Sequence, residues 1–441
     1  MPRLTPDQLL QELAGAEDLL IVQDLDGVCM QLVKDPLTRR MDPSYVDAVA
    51  ALDGQFAVLT NGEHEGRRGV NRLVEQALGN SDLPRHEGRY LPGLAAGGVQ
   101  LQDRFGDLSH PGVSPAEMAF LAAAPTRMEA LLMERLPGLL PQLGVDDLAE
   151  VAKAAVLDTQ VSPTINLNGI FELVPADVTT QQALQTMLSE LMHQLLAEAA
   201  GQGLEESFFL HVAPNLGRDA QGQERIKPAA AGDVGTTDIQ FMLTGSIKEA
   251  GLLVLLNQHI QRRWGESPLG ETFNVRTAPH DPEALLALVQ QRIPAERMPL
   301  LVGVGDTVTS TASADGTGWL RGGSDRGFLN LLQDLGAWCG RSNRVVLVEA
   351  AMEKWIAPAM PMAACRASPI RRIPCGLTRS CPMARSSTSP GSVSFLSVAG
   401  WVDQLRSSGS IRFFRQDMIC LEESASSAWS RWLLLRPFSR P

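Results

Sequence analysis
A chain of 441 residues with 44% hydrophobic and 20% charged residues has the composition of an ordinary globular protein, long enough for two or three domains with sizeable cores. Its net charge of −12 argues against nucleic acid or an anionic membrane surface as partner. The same charge obliges any phosphorylated ligand to meet a cation or oriented N–H groups, and a divalent ion is the simplest answer.

The N-terminal stretch MPRLTPDQLLQELAGAEDLL carries acidic residues and no long apolar run, so no secretory leader is expected, and no segment reaches the roughly 18 apolar residues of a membrane span. A cytoplasmic protein is the expectation. Thr5, followed three residues later by Gln8, reads as the start of a capped amphipathic helix. An apolar strand then ends in Asp24-Leu25-Asp26-Gly27. Residues i and i+2 of a strand face one side, so Asp24 and Asp26 can set two carboxylates beside one bound group. A solvated strand end or turn is the plain alternative. Cys29 lies nearby with no base to pair it and reads as a small packing residue.

DPSYVDAVAALDG reads as a helix stopped at Gly54, and a second apolar strand leads into Thr60-Asn61-Gly62. Strand, helix and strand in so short a span form a βαβ unit with its polar clusters at carboxyl strand ends, where parallel sheets bind ligands. Thr60 also suits a helix N-cap with Glu63 completing a capping box. The helix opening at Glu63-His64-Glu65-Gly66-Arg67-Arg68 is either solvated or brings Arg67 or Arg68 to a phosphate.

Residues from about 90 to 245 read as an inserted α+β module, mostly helical by pattern, with short β-like pieces at Gly169–Val174 and Ser207–Val212. The parallel-sheet domain resumes with Thr244-Gly-Ser-Ile-Lys248, a helix bearing lysine in its first turn. That is unfavourable for the helix dipole and points to a local partner, although an exposed lysine also fits, and Lys227 is an alternative cation. A third apolar strand, Met298 to Gly305, ends in Asp306-Thr307, which a turn or cap would equally explain. The seven histidines form no H-x-E or H-x-x-x-H pair, so a histidine metal site is not expected.

These residues suit phosphoryl transfer. Asp24 can attack a phosphoryl group to give an aspartyl-phosphate, and Asp26 can protonate the leaving oxygen and later deprotonate the attacking water. Two carboxylates repel a phosphate, so Mg²⁺ held by Asp24, the backbone carbonyl of Asp26 and Asp306 would offset the charge. Thr60 and Lys248, with Asn61 beside them, would bind the non-bridging oxygens.

The composition breaks near residue 350. Residues 350–441 hold five acidic and twelve basic residues, eleven of them Arg, leaving 26 basic and 45 acidic residues before them. Four of the six cysteines lie there, but their spacings lack a C-x₂₋₄-C pair and no His follows His280, so zinc is not expected. Enrichment in Arg, Ser, Pro, Cys and Trp is what a shifted reading frame through GC-rich DNA yields. The segment is expected to be an aberrant tail rather than an evolved fold.

The ordered set Asp24-x-Asp26-Gly, Thr60-Asn61-Gly62, Lys248 and Gly305-Asp306 resembles the haloacid dehalogenase-like phosphatase superfamily. The resemblance implies an α/β fold, with a parallel-sheet core from residues 1–90 and 245–349 and an inserted C2-type α+β cap over 91–244. Asp26, and the short interval between Asp26 and Thr60, disfavour dehalogenases and β-phosphoglucomutase-like members. The run Gln23–Arg39, with Leu59–His64 and Gly305–Ser310, is similar to the glucosylglycerol 3-phosphatase family. That implies a small-molecule sugar phosphate as substrate and a compatible solute made during salt acclimation as product. The family's second acidic residue after the Gly-Asp pair is replaced by Ser310, which leaves Asp325 as a candidate for the remaining metal contact. Sucrose phosphate, trehalose phosphate or a phosphoglycerate glycoside are alternative substrates, and a catalytically dead sugar-phosphate-binding protein is the alternative class.

Overall fold
The computed structural model describes residues 6–33, 35–174, 177–312 and 319–348, with the backbone of 411–414 and 418–421. Helix α1 (Pro6–Ala14) leads into β1 (Leu19–Gln23), every residue of which is buried. The proposed capping residue Thr5 lies outside the described residues. Gly27 turns the chain after Asp26 at φ +76°, a left-handed conformation that costs glycine little. Helix α2 (Pro43–Ala51) starts where expected: the Asp42 carboxylate accepts the Ser44 N–H at 2.8 Å, and proline occupies the first turn.

Strand β2 (Phe56–Leu59) pairs in parallel with β1, completing the βαβ unit. After α3 (Val70–Leu78) and α4 (Leu83–Glu87), β3 (Gly93–Ala95) joins β2 in parallel, and β4 (Gln100–Gln102) and β5 (Leu108–Ser109) extend the edge in antiparallel fashion. The strands at 93–95, 100–102 and 108–109 therefore belong to the core sheet. These strands are two or three residues long, too short to display an alternating pattern.

The module opens with α5 (Pro115–Leu139), where Ser114 and Glu117 form a reciprocal capping box at 3.2 and 2.8 Å. It continues through α6 (Val145–Ala155), β6 (Val156–Leu157), β7 (Thr164–Asn166), α7 (Asn168–Phe171), α8 (Val178–Ala200), β8 (Phe208–Ala213), the hairpin β9 (Asn215–Arg218) with β10 (Glu224–Ile226), and β11 (Asp238–Leu243). The β-like reading of 169–174 gives way to the short helix α7, because a brief apolar run has no period to separate the two states. Its antiparallel sheet runs β6-β7-β11-β8. Phe120, Phe208 and Phe241 stack at its centre, with ring centroids 4.7–5.7 Å apart.

The chain then returns through α9 (Lys248–Trp264), α10 (Pro282–Arg292), β12 (Leu300–Gly305), the hairpin β13 (Thr309–Ala312) with β14 (Trp319–Gly322), α11 (Arg326–Cys339) and β15 (Arg344–Val348). Two short strands, β16 (Ile411–Phe414) and β17 (Met418–Leu421), complete a sheet ordered β16-β17-β15-β12-β1-β2-β3-β4-β5. The expectation of an aberrant tail otherwise falls on residues outside those described. Alternate residues of β1 feed two cores. Leu20 and Val22 pack toward α9 and α11, whereas Leu19 and Ile21 pack toward α1, α2 and α3. The result is a mainly parallel α/β sheet covered on both faces, which explains why its central strands read as unbroken apolar runs. Among the described residues no helix is long and apolar enough to cross a membrane.

Candidate active site
Because β1 lies between β12 and β2 with Gln23 opposite both Val304 and Val58, the residues that follow these strands emerge side by side. Asp24 follows β1, Thr60 follows β2 and Asp306 follows β12. The Asp24 N–H bonds the Val304 carbonyl at 2.9 Å and the Thr60 N–H bonds that of Leu94 at 3.0 Å, so the backbone is anchored up to the reactive residues. Carboxylate oxygens of Asp24, Asp306 and Asp325 gather within 4.8 Å of one another.

Lys248, the first residue of α9, reaches into this group. Its Nζ lies 3.0 Å from Asp24 Oδ2 and 2.6 Å from Asp325 Oδ1. The residue is 3% exposed, Asp24 5% and Asp325 0%. A lysine at a helix start is thus matched by two buried carboxylates that outweigh the unfavourable dipole. The other Asp325 oxygen, Oδ2, accepts the N–H groups of Asp306 and Thr307 at 3.0 and 2.9 Å, bracing the turn after β12. Gly305 makes room for it: a Cβ there would stand 2.7 Å from the Asp325 carboxyl group.

Two buried carboxylates face one ammonium, with the half-buried Asp306 beside them, and the charge imbalance is felt. The Asp24 carboxyl is pushed up to about 7, by burial first and by the charges of Asp325 and Asp26, with Lys248 pulling against them. Asp306 is raised well above the usual carboxylate range by burial and by the charges of Asp325 and Asp24. Burial works against the Lys248 charge, yet Asp24 and Asp325 hold its pKa above the ordinary lysine value. Such an excess of buried negative oxygen is what a hard divalent cation relieves. The residues present therefore fit Mg²⁺.

Asp26 stands at the open side of the cluster, its Oδ1 2.8 Å from Arg39 Nη2. A Cβ at Gly62 would lie 3.6 Å from Thr60 Oγ1 and 3.8 Å from Asp26 Oδ2, so the hydroxyl and the carboxylate flank one point. The Thr60 hydroxyl also accepts the Gly62 N–H at 3.2 Å. Asn61 points to the inserted module, its Nδ2 3.0 Å from His211 Nε2.

No helix begins at Thr60. Glu63 instead accepts the N–H groups of Gln160 and Val161 and the Ser162 hydroxyl, each at 2.8 Å, so a pattern that reads as a local capping box is a clamp on the module. The helix expected at Glu63 starts seven residues later, at Val70. Arg67 and Arg68 both pair with Asp158 of the module, away from the carboxylates. Lys227 pairs with Asp233 at 2.6 Å within the module. Cys29 is buried, donates to the Leu25 carbonyl at 3.5 Å and has its thiol pKa pushed up by that burial. Sequence reasoning did not single out Arg39 as a partner of Asp26, nor His211. The visible signal for His211 was a histidine inside the apolar strand FFLHVA.

Carboxylates after β1 and β12, a hydroxyl after β2 and a lysine opening α9 are the residues by which the sequence resembles the haloacid dehalogenase-like phosphatase superfamily. A family model described as glucosylglycerol-phosphate phosphatase matches residues 18–372. The chain is 52% identical over 341 residues to a glucosylglycerol-phosphate phosphatase of Synechocystis sp., covering 77% of this chain and 81% of that protein. The chain belongs to the glucosylglycerol-phosphate phosphatase family, and it is a phosphatase. Solved structures similar to it include the C-terminal domain of a C. albicans trehalose-6-phosphate phosphatase, with TM-score 0.39, 14% identity and coverage of 80% of this chain and 90% of that one. An Aspergillus fumigatus trehalose-6-phosphate phosphatase gives TM-score 0.33 and 12% identity over the same shares.

Proposed function
We propose that the protein hydrolyses glucosylglycerol 3-phosphate to glucosylglycerol and phosphate in the cytoplasm, with Mg²⁺ as cofactor and Asp24 as nucleophile. The observation that carries the chemistry is the gathering of the Asp24, Asp306 and Asp325 carboxylates, with Lys248 paired to Asp24 and Asp325. The substrate is inferred from the 52% identical relative named for it.

In this reading an Asp24 carboxylate oxygen attacks phosphorus while the bond from phosphorus to the glyceryl oxygen breaks, leaving an aspartyl-phosphate. Asp26, held by Arg39 and flanking the point shared with Thr60, gives its proton to the departing oxygen. A water then attacks phosphorus, Asp26 takes its proton, and the bond to Asp24 breaks to release phosphate. The Thr60 hydroxyl, the Asn61 amide and the Lys248 ammonium bind the non-bridging oxygens. Lys248 also keeps Asp24 in place through the 3.0 Å contact. Asp24, the Asp26 backbone carbonyl and Asp306 would hold Mg²⁺, which supplies charge neutralisation for the incoming phosphate dianion. Asp325 is already committed to Lys248 and two N–H groups, so we assign it to bracing the site. The inserted module is read as a C2-type cap that excludes water and selects the sugar.

Phosphate release by the full chain, measured on glucosylglycerol 3-phosphate, trehalose 6-phosphate and sucrose 6-phosphate with Mg²⁺ and with excess chelator, tests this reading. Preference for the first ester, lost in chelator and restored by Mg²⁺, is expected. Preference for another ester would move the substrate assignment, and binding without turnover would make the chain a sugar-phosphate-binding protein.

A further inference from the structure
His211 belongs to β8 of the inserted module but ends at the catalytic strand edge, and neither of its ring nitrogens is idle. Nδ1 lies 3.1 and 2.9 Å from the two carboxylate oxygens of Glu224, and Nε2 lies 3.0 Å from Asn61 Nδ2. Glu224 is itself fixed: it accepts the Val212 N–H at 2.9 Å and the Asn215 amide at 3.1 Å, with Arg218 3.5 Å away. Burial works to raise the Glu224 carboxyl, but His211, the Val212 N–H and Arg218 more than offset it and hold it below the usual range. An ionised Glu224 requires Nδ1 to donate. The amide of Asn61 also donates, so Nε2 can only accept.

The module thus carries one oriented hydrogen-bond acceptor to Asn61, the residue between Thr60 and Gly62, and a Cβ at Gly62 would lie 3.8 Å from Asp26 Oδ2. His211 is 6% exposed, and Asp24, Thr60 and Lys248 are 5%, 1% and 3% exposed, so a ligand must displace module contacts to enter. The Asn61–His211 bond ties the module to the residue between Thr60 and Gly62. Breaking it leaves a preset acceptor facing the leaving group, and a polyol presents hydroxyl donors there.

We propose that His211 is a specificity-determining residue: its Nε2 accepts a hydroxyl of the polyol leaving group when substrate displaces Asn61, and Glu224 is the positioning residue that keeps Nε2 an acceptor. This rests on the sugar-phosphate phosphatase reading above. A site that hydrogen-bonds a substrate hydroxyl discriminates strongly against esters lacking it, because the acceptor is then left unpaired.

The test compares the parent with His211→Leu and His211→Gln, as full-length protein with Mg²⁺, on glucosylglycerol 3-phosphate and on p-nitrophenyl phosphate, whose leaving group carries no hydroxyl donor beside the phosphoester. His211→Leu should lose about 10- to 100-fold in kcat/KM on the sugar ester, mostly as a rise in KM. Its loss on p-nitrophenyl phosphate should be at least about tenfold smaller. His211→Gln, which restores an acceptor at the Nε2 position, should recover most of the difference. Equal losses on both esters, or none on either, would overturn the proposal. If the parent prefers another sugar phosphate, the substrate assignment fails while His211 is judged on that ester by the same ratio.

Discussion

Replacing Asp325 with asparagine keeps the shape of the side chain and removes one charge, so its consequences can be worked from three contacts. Oδ2 accepts two backbone N–H groups at 3.0 and 2.9 Å, and Oδ1 accepts from Lys248 Nζ at 2.6 Å. An amide keeps the first oxygen but turns its NH₂ toward the ammonium, so a charge-assisted bond becomes a contact between two donors. Such a bond contributes about 1.5–3 kcal/mol, and taking one partner from a buried ion costs about 3–5 kcal/mol. Two effects moderate the loss: Lys248 keeps Asp24 at 3.0 Å, and the charge that Asp325 adds to the burial of Asp24 and Asp306 disappears. The net expectation is about 3 kcal/mol of destabilisation in urea unfolding at neutral pH. Turnover should fall by roughly a hundredfold, because Lys248 and the Asp306 turn lose their common brace. Asp325→Ala, which removes both acceptors, should be worse on both measures. A change below about 1 kcal/mol with turnover kept would refute the bracing role.

Three further outcomes follow from the site and its surroundings. Glu63→Gln leaves an NH₂ facing the donors of residues 160–162, and should destabilise the protein by about 1–3 kcal/mol in urea; no measurable change would show that the clamp is dispensable. His64 is fully buried with its pKa lowered from 6.5 to about 4 by that burial, so between these values only the unfolded chain binds the proton and stability falls as pH drops. The His64→Gln variant should lose about 2 kcal/mol less than the parent between about pH 7 and pH 5, and identical slopes would contradict the assignment. If residues 350–441 come from a shifted frame, another frame of the coding DNA beyond codon 349 should continue the family's sequence; the lack of one would reject that reading.

The central sheet was legible because β1, β2 and β12 are buried on both faces, so each is an unbroken apolar run that stops at a polar group. Lys248 was legible as an anomaly, a cation where a helix start disfavours it. What sequence spacing hid was pairing over distance. Glu63 reads as a capping partner of Thr60 three residues away, yet its carboxylate serves donors nearly a hundred positions on, since a buried carboxylate gains more from three donors than from one cap. Asn61 and His211 are 150 residues apart, and nothing local to either announces the other. The membership of β3 to β5 in the core sheet was hidden for a different reason: they are too short to carry a period.

The covalent step is open to direct measurement. Full-length protein with Mg²⁺ is mixed with glucosylglycerol 3-phosphate labelled in the phosphoryl group, quenched in acid during the first turnover, and the labelled peptide is identified. Label should appear on Asp24 before free phosphate reaches its steady rate, and Asp24→Asn should show neither label nor turnover, with kcat down by about 10³-fold or more. Steady phosphate release without label on Asp24, or an Asp24→Asn variant within about tenfold of the parent, would contradict Asp24 as the nucleophile.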